Sequence, residues 1–165
     1  MDTVIHSIAP VFDRRSKIII LGSMPSPKSR EIGFYYGHPR NMFWPVMERV
    51  FNEKIPPSTE GKTAFLLERR VALWDALKSC DINGAADSSV KNPVANDIAW
   101  LLTENGHNIS AAFTTGLVAT RLYNRLCLPQ TNLAATRLPS TSPANAARNT
   151  LETLAEAYSV ILTFL

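Results

Sequence analysis

SKIIILG, residues Ser16–Gly22, runs straight into SMPSPKSREIGFYYGHPRNMFW, residues Ser23–Trp44, and the fold turns on how this stretch is read. A short β-branched run without polar alternation is the pattern of a strand covered on both faces, and a glycine ends it. The segment after that glycine is polar, basic and aromatic, a composition that packing does not require. A strand that delivers such a loop to the carboxyl edge of a sheet is building a site, read here as a pocket for one nucleotide base.

Working outward, apolar residues from Met42 to about Phe51 recur at helical spacing, and Gly61–Arg70 is a second short amphipathic stretch. VALWDAL, from Val71, reads as a second strand, followed by a polar loop through DINGAADSSVKNPVAND, residues 81–97. A helix is expected from Pro93 or Val94 to Thr103, stopped by Asn105-Gly106-His107. ISAAFTTG, ending at Gly116, is a third strand, Leu117–Leu126 a helix closed before Pro129, and TNLAATRLPS, ending at Ser140, a fourth strand. A helix over about Asn145–Tyr158 and a last strand or apolar tail, SVILTFL, complete the chain.

Strands alternating with helices indicate an α/β fold, a three-layer α/β/α sandwich around a mostly parallel sheet of four to five strands, in a single domain over residues 1–165. The loops after the first, second and fourth of these strands are the polar ones, and they converge at the carboxyl ends, where ligands bind in open α/β sheets. Trp44, Trp74 and Trp100 read as core.

With 165 residues and 45% hydrophobic content the chain can bury a core without disulfide or metal staples. Cys80 and Cys127 stand far apart and in no CxxC arrangement, so neither a disulfide framework nor a metal site is indicated, and a reduced, cytoplasmic protein is expected. MDTVIHSIAPVFDRR at the start lacks the pattern of a secretion signal, and no stretch has the apolar length of a membrane span. The net charge is a mild +3, but its distribution is uneven. From Asn105 to Leu151 there is no acidic residue, while Arg121, Arg125, Arg137 and Arg148 are present; the first loop adds Lys28, Arg30 and Arg40 against Glu31. Such clustering fits a phosphate-backbone footprint and equally a solvated surface.

Common chemistries do not explain the loops. GSMPSPKS lacks the glycine and lysine spacing of a phosphate loop, and no G-x-G-x-x-G is present. An esterase built on Ser23 needs a positioned histidine, but His6, His38 and His107 are the whole complement and none comes after the fourth strand. Metal ligands are few and dispersed, and no cofactor is indicated. There remains a site of amides, hydroxyls, aromatics and arginines, able to stack a flat ring and hold phosphates.

The turn Gly22–Pro25, G-x-x-P, paired with PSTSP at Pro139–Pro143, resembles motifs 1 and 2 of the uracil-DNA glycosylase superfamily. The extension YYGHPRNMFW and the form LPSTSPAN are similar to the hypoxanthine-DNA (deoxyinosine) glycosylase branch; VALWDALKSCD, DSSVKNPVAND and FTTG also fall where that branch has them, so the resemblance covers nearly the whole chain. It implies a monofunctional glycosylase of base excision repair that hydrolyses the N-glycosidic bond of a deaminated base in damaged or mismatched DNA, after extruding that nucleotide from the duplex. A monomer suits one domain wrapped over a lesion. Uracil or G:T/G:U mismatches are the alternative substrate, and a nucleic-acid-binding module without activity is a second alternative.

The resemblance also implies roles for residues. The third position of motif 1, an Asp or Asn that orients water in well-known relatives, is Met24 here, and the role passes to Asn41 of GHPRN. Its amide can accept from and donate to a water, and Asn41 is equally suited to cap the helix beginning at Met42. Motif 2 begins with Leu138 where uracil-specific enzymes have a histidine, and the usual leucine wedge is Ser142, leaving Pro143 as a candidate wedge. Gly22, Ser23, Met24 and Pro25 form the base pocket with the stacking faces of Phe34, Tyr35 and Tyr36, while Asp75 is placed to accept from N1–H of hypoxanthine. The DNA backbone is met by Ser26, Ser29, His38, Arg40, Lys91, Ser140, Thr141, Ser142, Asn145 and Arg148.

Overall fold

The computed structural model describes residues 1–84 and 86–165. Its centre is the run read first: β2 (Ile18–Gly22) is buried at every residue, and it pairs in parallel with β3 (Val71–Asp75) on one side and β6 (Ala111–Thr115) on the other. β7 (Ala135–Leu138) adds to β6, also in parallel, giving the order β3-β2-β6-β7. Apolar residues cover this sheet on both faces, which is why Ile18, Ile19, Ile20 and Leu21 lose all their exposure. Each such side chain stabilises the fold by about 1.5–3 kcal/mol through burial. Register sets the site, because Gly22 lies opposite Asp75 and Thr115 opposite Leu138, so the strands end together on one edge.

Helices flank the sheet: α3 (Thr59–Glu68) packs against β3, α5 (Leu117–Leu122) against β6 and β7, and α2 (Phe43–Phe51) against α7 (Leu151–Tyr158). The first loop contains a short helix that the sequence reading missed, α1 (Pro27–Ile32), capped by Ser26, opened by proline and closed by Gly33 in the left-handed region.

A second sheet, antiparallel, was also missed. β1 (Asp2–Ile5), β4 (Leu77–Ile82) and β5 (Lys91–Ala95) stand in the order β1-β4-β5. The expected polar loop over 81–97 is therefore partly strand; residue 85 within it lies outside the described residues. The chain passes from β3 to β4 through Ala76, whose N–H donates to Gly22 O at 2.8 Å, with Leu77 N–H donating in turn to Ser23 O at 3.1 Å. Because β5 takes Lys91–Ala95, the next helix, α4 (Ile98–Glu104), begins later than expected, at the point where Asp97 accepts from Trp100 N–H.

Other boundaries moved as well. The helix expected to close before Pro129 instead continues through a π turn at Tyr123–Cys127 into α6 (Leu128–Thr131), where the proline sits in the first turn and needs no N–H partner. α7 starts at Leu151 rather than near Asn145, fixed by the reciprocal cap of Thr150 and Thr153. SVILTFL, expected as a last strand or an apolar tail, forms no strand but a 3-10 helix over Ser159–Phe164. Trp44 and Trp74 are core, whereas Trp100 is 46% exposed and leans on Phe12 and Trp74 from the surface. No helix among the described residues is long and apolar enough to cross a membrane.

Candidate active site

A cavity of about 260 Å³ opens at the carboxyl edge of the parallel sheet, the scale of one nucleoside. All four parallel strands feed it, through Gly22 at the end of β2 and Ser23 after it, Asp75 at the end of β3, Thr115 at the end of β6, and Ser140–Ser142 after β7. This is the edge at which open α/β sheets bind ligands.

Asn41 lies in its wall, and its amide orientation is fixed. The backbone N–H of Phe43 can only donate, and it meets the amide oxygen Oδ1 at 2.9 Å. The hydroxyl of Thr141 donates to the same oxygen at 2.8 Å. Both acceptor sites of Oδ1 are thereby used, and Nδ2 keeps its two hydrogens without a protein acceptor among the described residues. The helix starts at Phe43 with Met42 at its cap position, so Asn41 stands one residue before the cap expected of it and accepts from the first helical N–H. With both acceptor sites used, the expectation that it also accepts from a water is corrected, and its free groups are the two Nδ2 hydrogens.

Thr141 was expected at the DNA backbone. It is buried to 2% exposure, its hydroxyl is spent on Asn41 and its carbonyl accepts from Met42 N–H at 3.0 Å, so it supports Asn41 instead. The loop that carries it is held from below by Tyr158, whose hydroxyl donates to Pro139 O at 2.7 Å. Gly116, at φ 95°, lets this loop close on β6, since a Cβ there would stand 3.1 Å from that of Ser140.

The floor is polar and closely fitted. Asp75 Oδ1 occupies the space of a side chain that Gly22 lacks: a Cβ on Gly22 would meet Oδ1 at 2.5 Å, Tyr36 Oη at 3.3 Å and Thr115 Oγ1 at 3.6 Å. The other carboxylate oxygen, Oδ2, meets Nε2 of His6 at 2.8 Å. His6 comes directly after β1 and continues the pairing, its N–H donating to Lys78 O at 2.7 Å. Tyr36 is held in the left-handed region at φ 52°, a conformation that costs a side-chain-bearing residue energy and clusters at sites. Its ring stacks on Phe43 with centroids 4.0 Å apart, and its hydroxyl shares a bond with Thr115 Oγ1 at 3.4 Å. Burial, and after it the charge of Asp75, push the hydroxyls of Tyr35 and Tyr36 well above the ordinary tyrosine range, so both stay protonated.

Of the three aromatic residues expected to offer stacking faces, Tyr35 and Tyr36 line the cavity. Tyr35 borders the cavity, but its hydroxyl donates to Ala9 O at 2.8 Å. Phe34 does not line the cavity; it is buried and stacked on Trp44, so its expected contact with the base is corrected to core packing. Met24 and Pro25 line the wall.

Ser26 and Ser29 also line it, with hydroxyls that organise their own loop. Ser26 Oγ accepts from Ser29 N–H at 3.2 Å, and Ser29 Oγ accepts from Gly37 N–H at 2.9 Å. His38 lines the cavity, and its Nδ1 accepts from Arg40 N–H. Ser140 and Ser142 accept from backbone N–H groups two residues ahead. Arg40, Lys91 and Arg148 are exposed and, with Asn145, lie outside the cavity lining.

Three lining or supporting groups escaped the sequence reading. His6 pairs with a residue 69 positions away, and nothing in MDTVIHS announces it. Asp87 accepts from Ser23 Oγ at 3.0 Å at the cavity wall; burial, opposed by that bond, raises its carboxyl above the ordinary range, and Asp75 adds to the rise. Thr115 was legible, because it ends its strand as Asp75 and Gly22 end theirs. No group of three or more His, Cys, Asp or Glu able to hold a metal ion occurs among the described residues.

A family model described as uracil DNA glycosylase superfamily matches residues 9–164. The hypoxanthine DNA glycosylase of Methanosarcina acetivorans is 35% identical over 92 residues, which are 55% of this chain and 58% of the relative. That of Methanosarcina barkeri is 31% identical over 93 residues, 56% of this chain and 59% of the relative. The matched stretch thus spans somewhat more than half the length of these curated relatives. Among solved structures, the solution NMR structure of a protein from Methanosarcina acetivorans, described provisionally as a uracil DNA glycosylase, superposes with a TM-score of 0.79 at 26% identity, covering 95% of this chain and 98% of that one. With the family model taking in every strand of the parallel sheet and every loop that feeds the cavity, the chain belongs to the uracil DNA glycosylase superfamily.

Proposed function

We propose that the protein is a monofunctional DNA glycosylase that extrudes a deaminated base from DNA and hydrolyses its N-glycosidic bond, with hypoxanthine as the preferred base. The observation that carries this reading is the clasped amide of Asn41, held by Phe43 and Thr141 with its N–H groups free in a nucleoside-sized cavity. The two relatives named hypoxanthine DNA glycosylase support the choice of base.

In this reading the extruded base enters the cavity, stacks on the free face of Tyr36 and turns its Watson–Crick edge to Asp75. Base–aromatic stacking contributes about 1–3 kcal/mol. The bond between C1′ and the base nitrogen breaks, its electron pair leaves with the base, and water adds to the sugar cation, its released proton passing to the departing base anion. Asn41 holds that water by donating from Nδ2 to one lone pair while the other faces C1′. Met24 supplies no polar group. The serines after Gly22 and Leu138, together with Arg40, Lys91 and Arg148, hold phosphates on either side of the extruded nucleotide, with Pro143 at the cavity rim entering the gap in the stack. One domain acting as a monomer suffices, and the two buried free cysteines fit a cytoplasmic setting.

The test is incubation with a duplex bearing one deoxyinosine, followed by alkali. Breakage at that position is expected, faster than for a uracil duplex. An intact strand across pH and opposite bases refutes the reading, and faster breakage of the uracil duplex moves it to uracil or mismatch repair.

A further inference from the structure

The His6–Asp75 pair is buried to 1% and 6% side-chain exposure, yet only one carboxylate oxygen is used by it. Nδ1 of His6 faces the N–H of Ile8 at 3.3 Å and therefore accepts, which puts the ring proton on Nε2, pointing at Asp75 Oδ2. Asp75 thus accepts through Oδ2, and its second oxygen, Oδ1, stands over Gly22 without a hydrogen-bond partner among the described residues. An acceptor aimed into a cavity and left without a donor points to a donor on the ligand. The hydroxyls of Tyr36 and Thr115 converge on the same spot; they share one bond, so one hydroxyl hydrogen of the pair is free for a ligand oxygen.

We propose that His6 and Thr115 complete a reader of the lactam edge of a base, an N–H beside a C=O, in which His6-locked Asp75 accepts from the ring N–H and the Tyr36–Thr115 pair donates to the adjacent carbonyl. This rests on the glycosylase reading of the same cavity and deepens it. Deamination is the reaction that creates this edge, since it turns a ring nitrogen with a lone pair beside an amino group into N–H beside C=O. The hydroxyls can reverse their roles, but a carboxylate only accepts. Discrimination therefore lies with Asp75, which repels the ring lone pair of adenine or cytosine and binds the N–H of hypoxanthine or uracil. Guanine and thymine carry the same edge, and their exclusion falls to the stability of their normal pairs, which hold them in the helix.

The test reads binding apart from bond cleavage. Duplexes carry one 2′-fluoro-2′-deoxyinosine or one 2′-fluoro-2′-deoxyadenosine, whose fluorine resists glycosidic cleavage, unpaired in a one-nucleotide bulge so that neither base has a pair to lose. The wild-type protein is expected to bind the inosine duplex about tenfold or more tightly over the adenosine duplex. In Asp75→Asn, His6 holds the amide oxygen and the N–H2 turns to the cavity, so the preference is lost or reversed. His6→Phe lowers the preference and His6→Gln, which keeps an N–H donor, restores it; affinity for a duplex with a stable abasic site stays constant in all of them, which a purely structural role for His6 would not leave untouched. Equal wild-type affinities for the two duplexes overturn the proposal even if no variant folds, as does an Asp75→Asn protein with the wild-type preference. A wild-type protein that shows the preference yet leaves deoxyinosine intact refutes the activity and leaves the reader standing.

Discussion

Replacing Thr141 by valine removes one hydroxyl and leaves the shape of the site almost unchanged. The hydroxyl donates to Asn41 Oδ1 at 2.8 Å from a residue only 2% exposed, so water cannot take its place. Loss of one such bond costs about 1 kcal/mol of stability, which for a chain of this size lowers Tm by roughly 2–4 °C. The effect on rate is larger in consequence than in energy. With only Phe43 N–H left on Oδ1, the amide can turn about its side-chain bonds and its N–H2 no longer points one way. A loosened catalytic group of this kind costs about tenfold in rate, or ~1.4 kcal/mol of barrier. The assay is single-turnover excision from a deoxyinosine duplex, with binding to an abasic-site duplex measured alongside. Excision should fall about tenfold with binding constant, and Thr141→Ser, which keeps the hydroxyl, should recover most of the rate. A folded Thr141→Val protein cleaving at the wild-type rate refutes the clasp, and so does Thr141→Ser failing as badly as valine.

Further perturbations separate the parts of the site. Gly22→Ala places a methyl group 2.5 Å from Asp75 Oδ1 and 3.3 Å from Tyr36 Oη, where His6 and the β3 register leave no room to yield; excision and binding of the inosine analogue should both be lost, with stability lowered by about 1–3 kcal/mol in a thermal melt. Tyr158→Phe removes the 2.7 Å bond to Pro139 O and should lower stability by about 1 kcal/mol and slow excision, through a loop that no longer holds Thr141 in place. Asp87→Asn should raise stability at pH 7. Its carboxyl is raised in the folded protein, so ionisation penalises folding above the ordinary carboxylate pKa and costs nothing where both states are protonated; the gain over wild type must shrink as pH falls through that range, and a gain that grows with acid contradicts the sign.

Much of the fold was legible because its strands are short, apolar and ended by glycine or a polar residue, as in IIILG and AAFTT. The second sheet was not, since β4 and β5 alternate weakly and β1 has four residues, three of them exposed; their pairing is set by the chain continuing from Asp75 into Leu77 beside β2. Pro129 misled because a proline that ends a helix by propensity is tolerated in the first turn of the next one. In the site, the polar loops after Gly22 and Leu138 could be placed from the strand order, while Asn41 and Asp75 were singled out only by the family resemblance. The bonds that define their chemistry could not, because they join distant positions: Thr141 to Asn41 across 100 residues and His6 to Asp75 across 69. Phe34 and Tyr36, two residues apart, look alike in sequence, yet Phe34 stacks on Trp44 in the core while Tyr36, with its backbone in the left-handed region, lines the cavity.

The most direct test of Asn41 as the group that holds the attacking water compares Asn41→Ala with wild type, in excision from a deoxyinosine duplex under single turnover and in binding to an abasic-site duplex. Cleavage is expected to collapse, by about a hundredfold or more, while binding stays near that of wild type. An Asn41→Ala protein that removes hypoxanthine at the wild-type rate would contradict that role.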